Sequence, residues 1–366
     1  MGNKPVVAIA MSGGVDSSVA AALLLEQGYQ VIGIMLRLWS EQGAEQSNRC
    51  CTPDSMSLAR RVASILSIPF YVLDARQVFF DSVVKSFIDD YTHNSTPNPC
   101  ITCNRLIRWD FLLNHALVAG ADFLATGHYA RISQNSEHAL QLSRGVDPSK
   151  DQSYVLHVLT QLQLKHALFP LGEYTKREVR QLSQKFNLPV ADRPDSQDLC
   201  FIGSDGDYRH FLIRNAPQTQ NPGLIMNQHG QVLGNHNGLA FFTIGQRKGL
   251  HVSSPVPLYV LAKDSLRNVL IIGPREEAGN NHLVADQVNW IEGHPPASPF
   301  NASVKIRYNA HDVSGVVTII NEKSFRMEFE NLIPDITPGQ AAVLYNGDIC
   351  LGGGIICNKT ADYMEK

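Results

Sequence analysis

SGGVDSS, residues 12–18, is the stretch that decides the fold of the first half of this chain. The short apolar run Val6–Ala10 precedes it, and residues 19–25, all apolar, follow it. This order predicts a strand, a glycine-rich turn and a helix. Small residues at such a turn let backbone N–H groups approach an anion, and the start of the helix adds a partial positive charge. Together with its serine hydroxyls, the stretch predicts a phosphate site.

Length and composition limit the class of protein. A chain of 366 residues is long enough for two or three domains, and 44% apolar with 18% charged residues is ordinary for a globular protein. No apolar run reaches the length that spans a bilayer. Residues 1–5 lead straight into the first predicted strand without a signal or transit peptide, so we expect a cytoplasmic protein without a membrane partner.

The net charge of −3 argues against broad, tight binding to nucleic acid by charge alone. It leaves room for a local basic face. Considered one at a time, each candidate for that face is expected to be an ordinary solvent-exposed side chain. The candidates are Arg105 and Arg108, Lys176 and Arg177, and Lys305 with Arg307.

Strand and helix signals alternate through the first half of the chain. Apolar runs at residues 31–36, 70–73 and 123–126 predict buried parallel strands, and residues 55–66 and 106–119 predict helices. This is the pattern of a doubly wound α/β fold, whose ligand site lies at the carboxyl ends of the strands.

Later segments have a different character. A Thr175-x-x-Glu178 capping box predicts a helix start, and residues 187–189 stop that helix. After about residue 205, glycine, asparagine and histidine become frequent, and from about residue 286 the runs are short and β-rich. We therefore predict an α/β domain at residues 1–205, a small mixed or β central domain at 206–283, and an antiparallel β-barrel at 284–366.

Seven cysteines in a chain of this type indicate chemistry or metal rather than a disulfide framework. Cys100 and Cys103 follow two prolines, and we expect them on a defined loop before a helix that begins with Leu106, where a thiolate is stabilised. Cys200 lies far along the chain, so only the fold can bring it to Cys103. Pairs that meet across a fold suit redox chemistry or covalent transfer.

Three readings of the cysteines remain open. They are buried small hydrophobes, or metal ligands, or a sulfur-transfer pair in which one holds a persulfide and the other resolves it. The metal reading has two forms: a zinc site of Cys50 and Cys51 with the Cys100–Cys103 pair, or an iron–sulfur cluster on Cys100, Cys103 and Cys200. Cys350 and Cys357 lie in the β-rich tail, where we expect packing roles.

Several sequence blocks carry a resemblance to known families. SGGVDSS resembles the pyrophosphate loop of the N-type ATP pyrophosphatases, which transfer AMP to a substrate oxygen. The further blocks TPNPCITCNRLIRW, ATGHYAR, KDQSYVL, DSQDLCFI and FTIGQRKGL follow in an order that resembles the tRNA-specific 2-thiouridylase family across the whole chain. The resemblance implies adenylation of the C2 oxygen of the wobble uridine of a tRNA, followed by sulfur transfer from a persulfide.

The resemblance also implies roles for residues. Cys200 would carry the persulfide and Cys103 would be the nucleophile, ending in a transient Cys103–Cys200 disulfide. Asp16 would coordinate Mg²⁺ near the phosphates. The same residue type at this position is equally expected of a carboxylate that only stabilises the helix N-terminus. The implied ATP site consists of Ala10, Met11, Ser12, Gly13, Gly14, Val15, Asp16, Ser17, Leu36 and Gly127.

The implied RNA site has two parts. Asn98, Pro99 and Cys100 would line the pocket for the target base. Contacts to the anticodon stem-loop would come from His128, Lys150, Asp151, Gln152, Arg307, Tyr308 and Gln340. An anticodon loop is single-stranded, which lowers the cost of extruding the base.

Position 100 departs from the pattern of some members of the family, which carry an aspartate there as a general acid or base. Here the residue is Cys100, whose thiol titrates in a different range from a carboxylate. Either the role is dispensable, or Asp198 or a water molecule supplies it.

Two other functions remain as alternatives. An amidoligase of the pyrophosphatase superfamily would attack an adenylated small molecule with ammonia, and would not need Cys103 and Cys200. A tRNA-binding protein without catalysis would not need the intact SGGVDSS loop. The leading prediction is a monomeric enzyme that uses ATP and Mg²⁺ and receives sulfur from a persulfide relay protein.

Overall fold

The computed structural model describes residues 4–41, 52–193, 199–202 and 207–357. The strands are β1 (Val6–Ala10), β2 (Gln30–Arg37), β3 (Phe70–Asp74), β4 (Phe123–Ala125), β5 (Ala130–Gln134), β6 (Leu140–Arg144), β7 (Ala167–Leu168), β8 (Gly223–Met226), β9 (Val232–His236), β10 (Tyr259–Asp264), β11 (Val269–Gly273), β12 (Asn280–Trp290), β13 (Phe300–Lys305), β14 (Val313–Asn321), β15 (Ser324–Ile333), β16 (Ala341–Asn346) and β17 (Ile349–Ile356).

The α-helices are α1 (Val15–Glu26), α2 (Pro53–Ile65), α3 (Arg76–Phe79), α4 (Lys85–Thr92), α5 (Pro99–Thr102), α6 (Leu113–Val118), α7 (Ser153–Leu156), α8 (Gln161–Lys165), α9 (Lys176–Lys185) and α10 (Tyr208–Asn215). The π-helical segments Phe80–Val84 and Cys103–Leu112 join α3 to α4 and α5 to α6. Within the described ranges, no helix has the length and apolar character needed to cross a bilayer.

The first domain is built on a parallel sheet with strand order β3-β2-β1-β4-β7. This confirms the predicted doubly wound α/β fold. The order runs one way from β1 through β2 to β3 and the other way through β4, so the crevice for a ligand lies between the carboxyl ends of β1 and β4. The SGGVDSS loop leaves β1 at that crevice.

The prediction that all three apolar runs are buried strands was wrong for β3. This strand pairs with β2 alone and forms the edge of the sheet. Tyr71 is 60% exposed and Val72 is 37% exposed. An apolar run cannot distinguish an edge strand from a central one, because β-branched and aromatic residues suit both.

The helix after the two prolines begins earlier than predicted. It starts at Pro99, which occupies the first helical position after the N-cap Asn98, and not at Leu106. Proline suits that position because its missing N–H has no partner there in any case. Cys100 and Cys103 therefore lie inside the first turns of the helix rather than on the loop before it.

The barrel sheet begins with the order β12-β15-β14-β13-β16-β17, and pairing of β12 with β17 closes it. This confirms the predicted antiparallel barrel. A hairpin that the sequence analysis did not predict, β5–β6 of the first half, extends the same sheet, because Leu142 and Ser143 of β6 pair with β17. In the chain between these two parts lies the smaller mixed sheet β10-β11-β8-β9, which confirms the mixed fold predicted for the middle of the chain.

Candidate active site

The SGGVDSS loop has the backbone geometry of an anion cradle. Gly13 has φ +71°, and a Cβ there would lie 2.3 Å from the carbonyl oxygen of Ser55, so only glycine fits. Helix α1 starts after Gly14 with no side-chain cap, which leaves backbone N–H groups of its first turn for an incoming anion. The Ser18 hydroxyl donates to the Gly14 carbonyl at 2.7 Å and holds the turn closed.

The loop after β4 packs directly on the start of α1. A Cβ on Gly127 would lie 2.8 Å from the Ser17 nitrogen and 2.9 Å from the Asp16 carbonyl carbon. This close approach brings the predicted ATP residues of the two strands into one crevice. Of the others, Ala10 ends β1, Met11 is buried beside it, and Leu36 is half-buried near the end of β2.

Asp16, in the first turn of α1, is held by two groups. Its carboxylate accepts a hydrogen bond from the Tyr129 hydroxyl at 2.8 Å. It also forms an ion pair with the Lys176 ammonium at 2.7 and 2.9 Å, and the Lys176 side chain is only 12% exposed. A carboxylate oxygen beside a phosphate cradle is the kind of ligand that Mg²⁺ takes, so Asp16 is the residue here that would hold the predicted cation.

Arg193 fixes the same loop from the other side. Its guanidinium donates to the Gly13 carbonyl at 2.9 Å and to the Ser55 hydroxyl at 2.8 Å. The Asp54 carboxylate lies 3.7 Å away. Arg193 thus connects the nucleotide loop with the chain segment that leads to Cys200.

The predicted catalytic cysteines border one apolar cluster. Cys103 is buried within it, and half-buried Cys200 packs against it next to Phe201. The ring of Phe201 contacts Phe79 and Phe87 edge to face. The structure therefore places two cysteines that are far apart in sequence against the same apolar cluster, and neither is in a disulfide.

The residues that precede Cys100 are held by the barrel. The Thr96 amide donates to the Pro338 carbonyl at 3.1 Å. The Gln340 amide donates to the carbonyls of Thr96 and Pro97 at 2.8 and 3.2 Å. Gln340, predicted to contact tRNA, thus positions the loop that leads into the predicted base pocket.

Two tyrosines stand beside that pocket. The rings of Tyr154 and Tyr308 meet edge to face with centroids 6.1 Å apart, and the Tyr154 hydroxyl donates to the Ala341 carbonyl at 3.1 Å. Burial, followed by the neighbouring charges of Asp151 and Cys100, raises the pKa of Tyr308 to about 12. Tyr308 therefore stays protonated and lies near both Asp151 and Cys100.

Among the predicted tRNA residues, Asp151 is buried and Gln152 is half-buried. The Asp151 carboxylate accepts from the amide and hydroxyl of Ser153 at 3.1 and 3.0 Å. The Gln152 side chain accepts from the Tyr129 amide at 3.1 Å. Because Tyr129 also binds Asp16, it links the nucleotide loop to the KDQSYVL segment, in which Lys150 is half-buried.

His128 and Arg307, also predicted to contact tRNA, face inward. His128 is buried between the Thr126 hydroxyl at 2.7 Å and the Arg108 guanidinium at 3.0 Å, and burial followed by the charge of Arg108 holds its pKa well below the usual value. Arg307 donates to the Ile244 carbonyl and the Thr337 hydroxyl. Contact of His128 with RNA would first require uncovering its side chain, whereas Arg307 is half-buried.

The reading of Lys176 and Lys305 as solvated side chains was wrong. Both side chains are 12% exposed, and they face Asp16 and Asp151 respectively. Burial lowers the pKa of Arg105, which also lies away from bulk water. These cations serve the interior of the site rather than a common basic face.

The structure gives no support to either metal hypothesis. In the described part of the chain, no three His, Cys, Asp or Glu side chains converge in a way that could hold a metal ion. Cys100, Cys103 and Cys200 are among the residues covered by that statement. Cys50 and Cys51 of the zinc reading, and Asp198, lie outside the described residues. Cys350 is buried in the barrel, where burial raises its pKa to about 12, as a packing role requires.

Sequence reasoning missed the roles of Tyr129, Lys176 and Arg193. One signal was available for Lys176, because a lysine in the first turn of a helix opposes the helix dipole and is unfavourable without another purpose. Tyr129 stands inside the ATGHYAR block but carried no prediction. Nothing in the sequence pairs Arg193 with Gly13.

Family models cover most of the chain. A model described as "tRNA methyl transferase HUP domain" matches residues 5–204, "tRNA methyl transferase PRC-barrel domain" matches 209–274, and "Aminomethyltransferase beta-barrel domain" matches 280–356. Among solved structures, an NMN synthetase from Francisella tularensis aligns with 53% of this chain and 66% of its own at TM-score 0.34 and 18% identity.

Full-length relatives are much more similar. The tRNA-specific 2-thiouridylase MnmA of Magnetococcus marinus is 47% identical over 352 residues, which cover 96% of this chain and 98% of that protein. The protein of the same name from Natranaerobius thermophilus is 44% identical over 97% of this chain and 98% of its own length. The chain therefore belongs to the tRNA-specific 2-thiouridylase family.

Proposed function

We propose that this protein is a tRNA 2-thiouridylase, which uses ATP to replace the C2 oxygen of the wobble uridine, position 34, with sulfur, and releases AMP and pyrophosphate. One observation carries the proposal. Tyr129 bonds to Asp16 of the nucleotide loop and to Gln152, so the cradle for ATP and the segment beside the base pocket form one connected site. The names of the full-length relatives point to the same activity.

The first step is adenylation. The uridine O2 attacks the α-phosphorus of ATP, and pyrophosphate leaves into the cradle formed by the SGGVDSS backbone. Mg²⁺, when bound, neutralises charge on the phosphates, and Asp16 supplies an oxygen ligand for it. The Lys176 ammonium and the Tyr129 hydroxyl keep that carboxylate oriented in the first turn of α1.

The second step is sulfur transfer. The terminal sulfur of a Cys200 persulfide attacks C2, and the bond between C2 and the adenylated oxygen breaks to release AMP. The Cys103 thiolate then attacks the Sγ of Cys200, which leaves the sulfur on the base and forms the Cys103–Cys200 disulfide. Both cysteines border one apolar cluster, which excludes water from the activated base.

The anticodon loop enters where the first domain meets the barrel. Asn98, Pro99 and Cys100 line the base pocket. Tyr308 lies beside Cys100, and Lys150 and Gln152 extend the surface toward the nucleotide loop. The enzyme acts in the cytoplasm as a monomer, and a persulfide relay protein loads Cys200.

Mass spectrometry of tRNA nucleosides tests the proposal directly. Substrate tRNA is incubated with the protein, ATP, Mg²⁺ and a persulfide donor, and 2-thiouridine is quantified alongside AMP. We expect equimolar 2-thiouridine and AMP, with 2-thiouridine lost in Cys103→Ser and Cys200→Ser. Full thiolation in either variant would refute the sulfur-transfer roles. AMP production that depends on ammonia instead of tRNA would identify the amidoligase alternative.

A further inference from the structure

We propose that Cys100 is a resolving cysteine: its thiolate attacks Cys103 in the Cys103–Cys200 disulfide, and the resulting Cys100–Cys103 disulfide is reduced by a dithiol from solution. The inference rests on the proposed function, because that function generates the Cys103–Cys200 disulfide in each turnover. It assigns a role to the residue at which this chain departs from members of the family that carry an aspartate.

The position of the two cysteines on their helix is the first argument. The helix begins at Pro99 and runs without a break through residue 118, so Cys100 and Cys103 lie three positions apart in its first turns. Residues at that spacing have Cβ atoms about 5–6 Å apart, and a disulfide needs about 3.5–4.5 Å, so a small adjustment joins them. The Asn98 side chain accepts from the Cys100 amide at 3.2 Å and fixes this turn.

The place of Cys100 in the first turn of its helix suits a thiolate nucleophile. A thiol at a helix N-terminus has its thiolate stabilised by the backbone N–H groups of the first turn, as in other Cys-x-x-Cys motifs. The Asn104 amide donates to the Cys100 carbonyl at 3.0 Å, which keeps the turn that contains both sulfurs closed. The arrangement is preorganised for thiol–disulfide exchange.

Exposure gives the second, independent argument. Cys103 is 9% exposed and Cys200 is half-buried, whereas Cys100 is exposed. Exchange requires in-line access of the attacking thiolate to a sulfur, and a reductant the size of a protein has no such access to Cys103. Cys100 therefore relays the oxidation from the less accessible Cys103–Cys200 disulfide to the surface.

The exchange balances in atoms and electrons. The Cys100 thiolate forms a bond to the Cys103 sulfur, the Cys103–Cys200 bond breaks, and Cys200 leaves as a thiolate ready for the next persulfide. A dithiol reductant then attacks Cys100, is itself oxidised to a disulfide, and returns Cys100 and Cys103 as thiols.

Peptide mapping after one turnover tests the relay. The protein, loaded with persulfide, is allowed to thiolate tRNA without reductant, then alkylated and digested with trypsin. The exchanged product is an internal disulfide in the peptide of residues 86–105, which makes it lighter by two hydrogens. The unexchanged product is that peptide linked to the peptide of residues 186–209, which contains Cys200.

We expect the internal disulfide to dominate in the unmodified protein and the linked peptides to accumulate in Cys100→Ser. With a dithiol protein as reductant, we compare the steady-state rate of thiolation with the rate of the first turnover, which needs no reductant. We expect the ratio of these two rates to be about tenfold lower in Cys100→Ser than in the unmodified protein. Cys357→Ser, which removes a thiol at the end of the barrel, is the matched control and keeps the internal disulfide.

Linked peptides in equal amount in both proteins, with no internal disulfide, would overturn the proposal. Iron and sulfide bound in stoichiometric amount by Cys100, Cys103 and Cys200 would overturn it as well, in favour of a cluster. If 2-thiouridine forms but the internal disulfide does not, only the relay fails. If the unmodified protein forms no 2-thiouridine, the proposed function fails and the relay falls with it.

Discussion

The nucleotide loop and the proposed base pocket are built in opposite ways. The loop is assembled inside the first domain, where Gly13, Asp16 and Gly127 meet elements of the same sheet and its helices. The pocket is assembled across domains, since Thr96 and Tyr154 receive their contacts from the barrel. On the proposed function, chemistry on ATP is therefore a property of one domain, whereas access of the RNA base depends on how two domains meet.

The largest effect is expected from breaking the nucleotide loop alone. Asp16→Asn keeps the shape of the side chain but removes the negative charge that pairs with Lys176, and we expect AMP transfer to fall about 10²–10³-fold. A radiolabelled-AMP transfer assay measures this, with tRNA binding measured in parallel. Asp81→Asn, at an exposed carboxylate that pairs with Lys85 outside the nucleotide loop, is the matched control. Unimpaired transfer in Asp16→Asn would reject its role.

Acid should weaken the contact between domains. Burial lowers the pKa of His157 from its ordinary value to about 4, and the ring lies against Gly353 of the barrel. The unfolded chain binds the proton first, so stability is complete above pH 6.5 and is lost as the pH falls toward 4. For this one group the loss at pH 5 is about 2 kcal/mol.

Urea unfolding at pH 7.5 and pH 5.0 measures this change in the free energy of unfolding. His157→Gln should reduce the difference between the two pH values by about 2 kcal/mol. His229→Gln, at an exposed histidine, serves as the control and should leave the difference as it is. An unchanged difference in His157→Gln would show that the group does not titrate in this window.

The smallest effect is expected from loosening the pocket without touching the loop. Gly339 has φ +90°, and a Cβ there would lie 2.8 Å from the Thr96 nitrogen. We expect Gly339→Ala to displace the loop before Cys100 and to lower kcat/KM for tRNA about tenfold, with the KM for ATP retained. Gly347→Ala, also at positive φ but with nothing near the added carbon, controls for backbone strain. Equal losses in both variants would assign the effect to strain.

Local features of the fold were predictable from the sequence, and contacts between distant segments were not. The capping box of Thr175 and Glu178 and the turn at Gly13 depend on neighbours within a few residues, and both are present. The helix start at Pro99 was missed because two prolines so close together, Pro97 and Pro99, also suit an extended segment before a helix. The β5–β6 hairpin was missed because short strands of mixed polarity give no clear period.

The site shows the same division. The glycines and serines of the nucleotide loop predict an anion site by themselves, without knowledge of the rest of the fold. The ion pair of Asp16 with Lys176 joins residues that no spacing rule relates, and packing of α9 against α1 creates it. The proximity of Tyr308 to Cys100 likewise exists only once the barrel has docked on the first domain.

The pairing of β6 with β17 has a consequence for the order in which the molecule is made. During synthesis, the hairpin β5–β6 emerges long before Ile349 and Cys350, so its outer edge waits without a neighbour while most of the chain is still being translated. Open edges of this kind recruit other strands. If translation stops before β17, the edge of this hairpin stays unpaired and can associate with strands of other chains. Strand β17 therefore protects the first domain from aggregation by covering that edge.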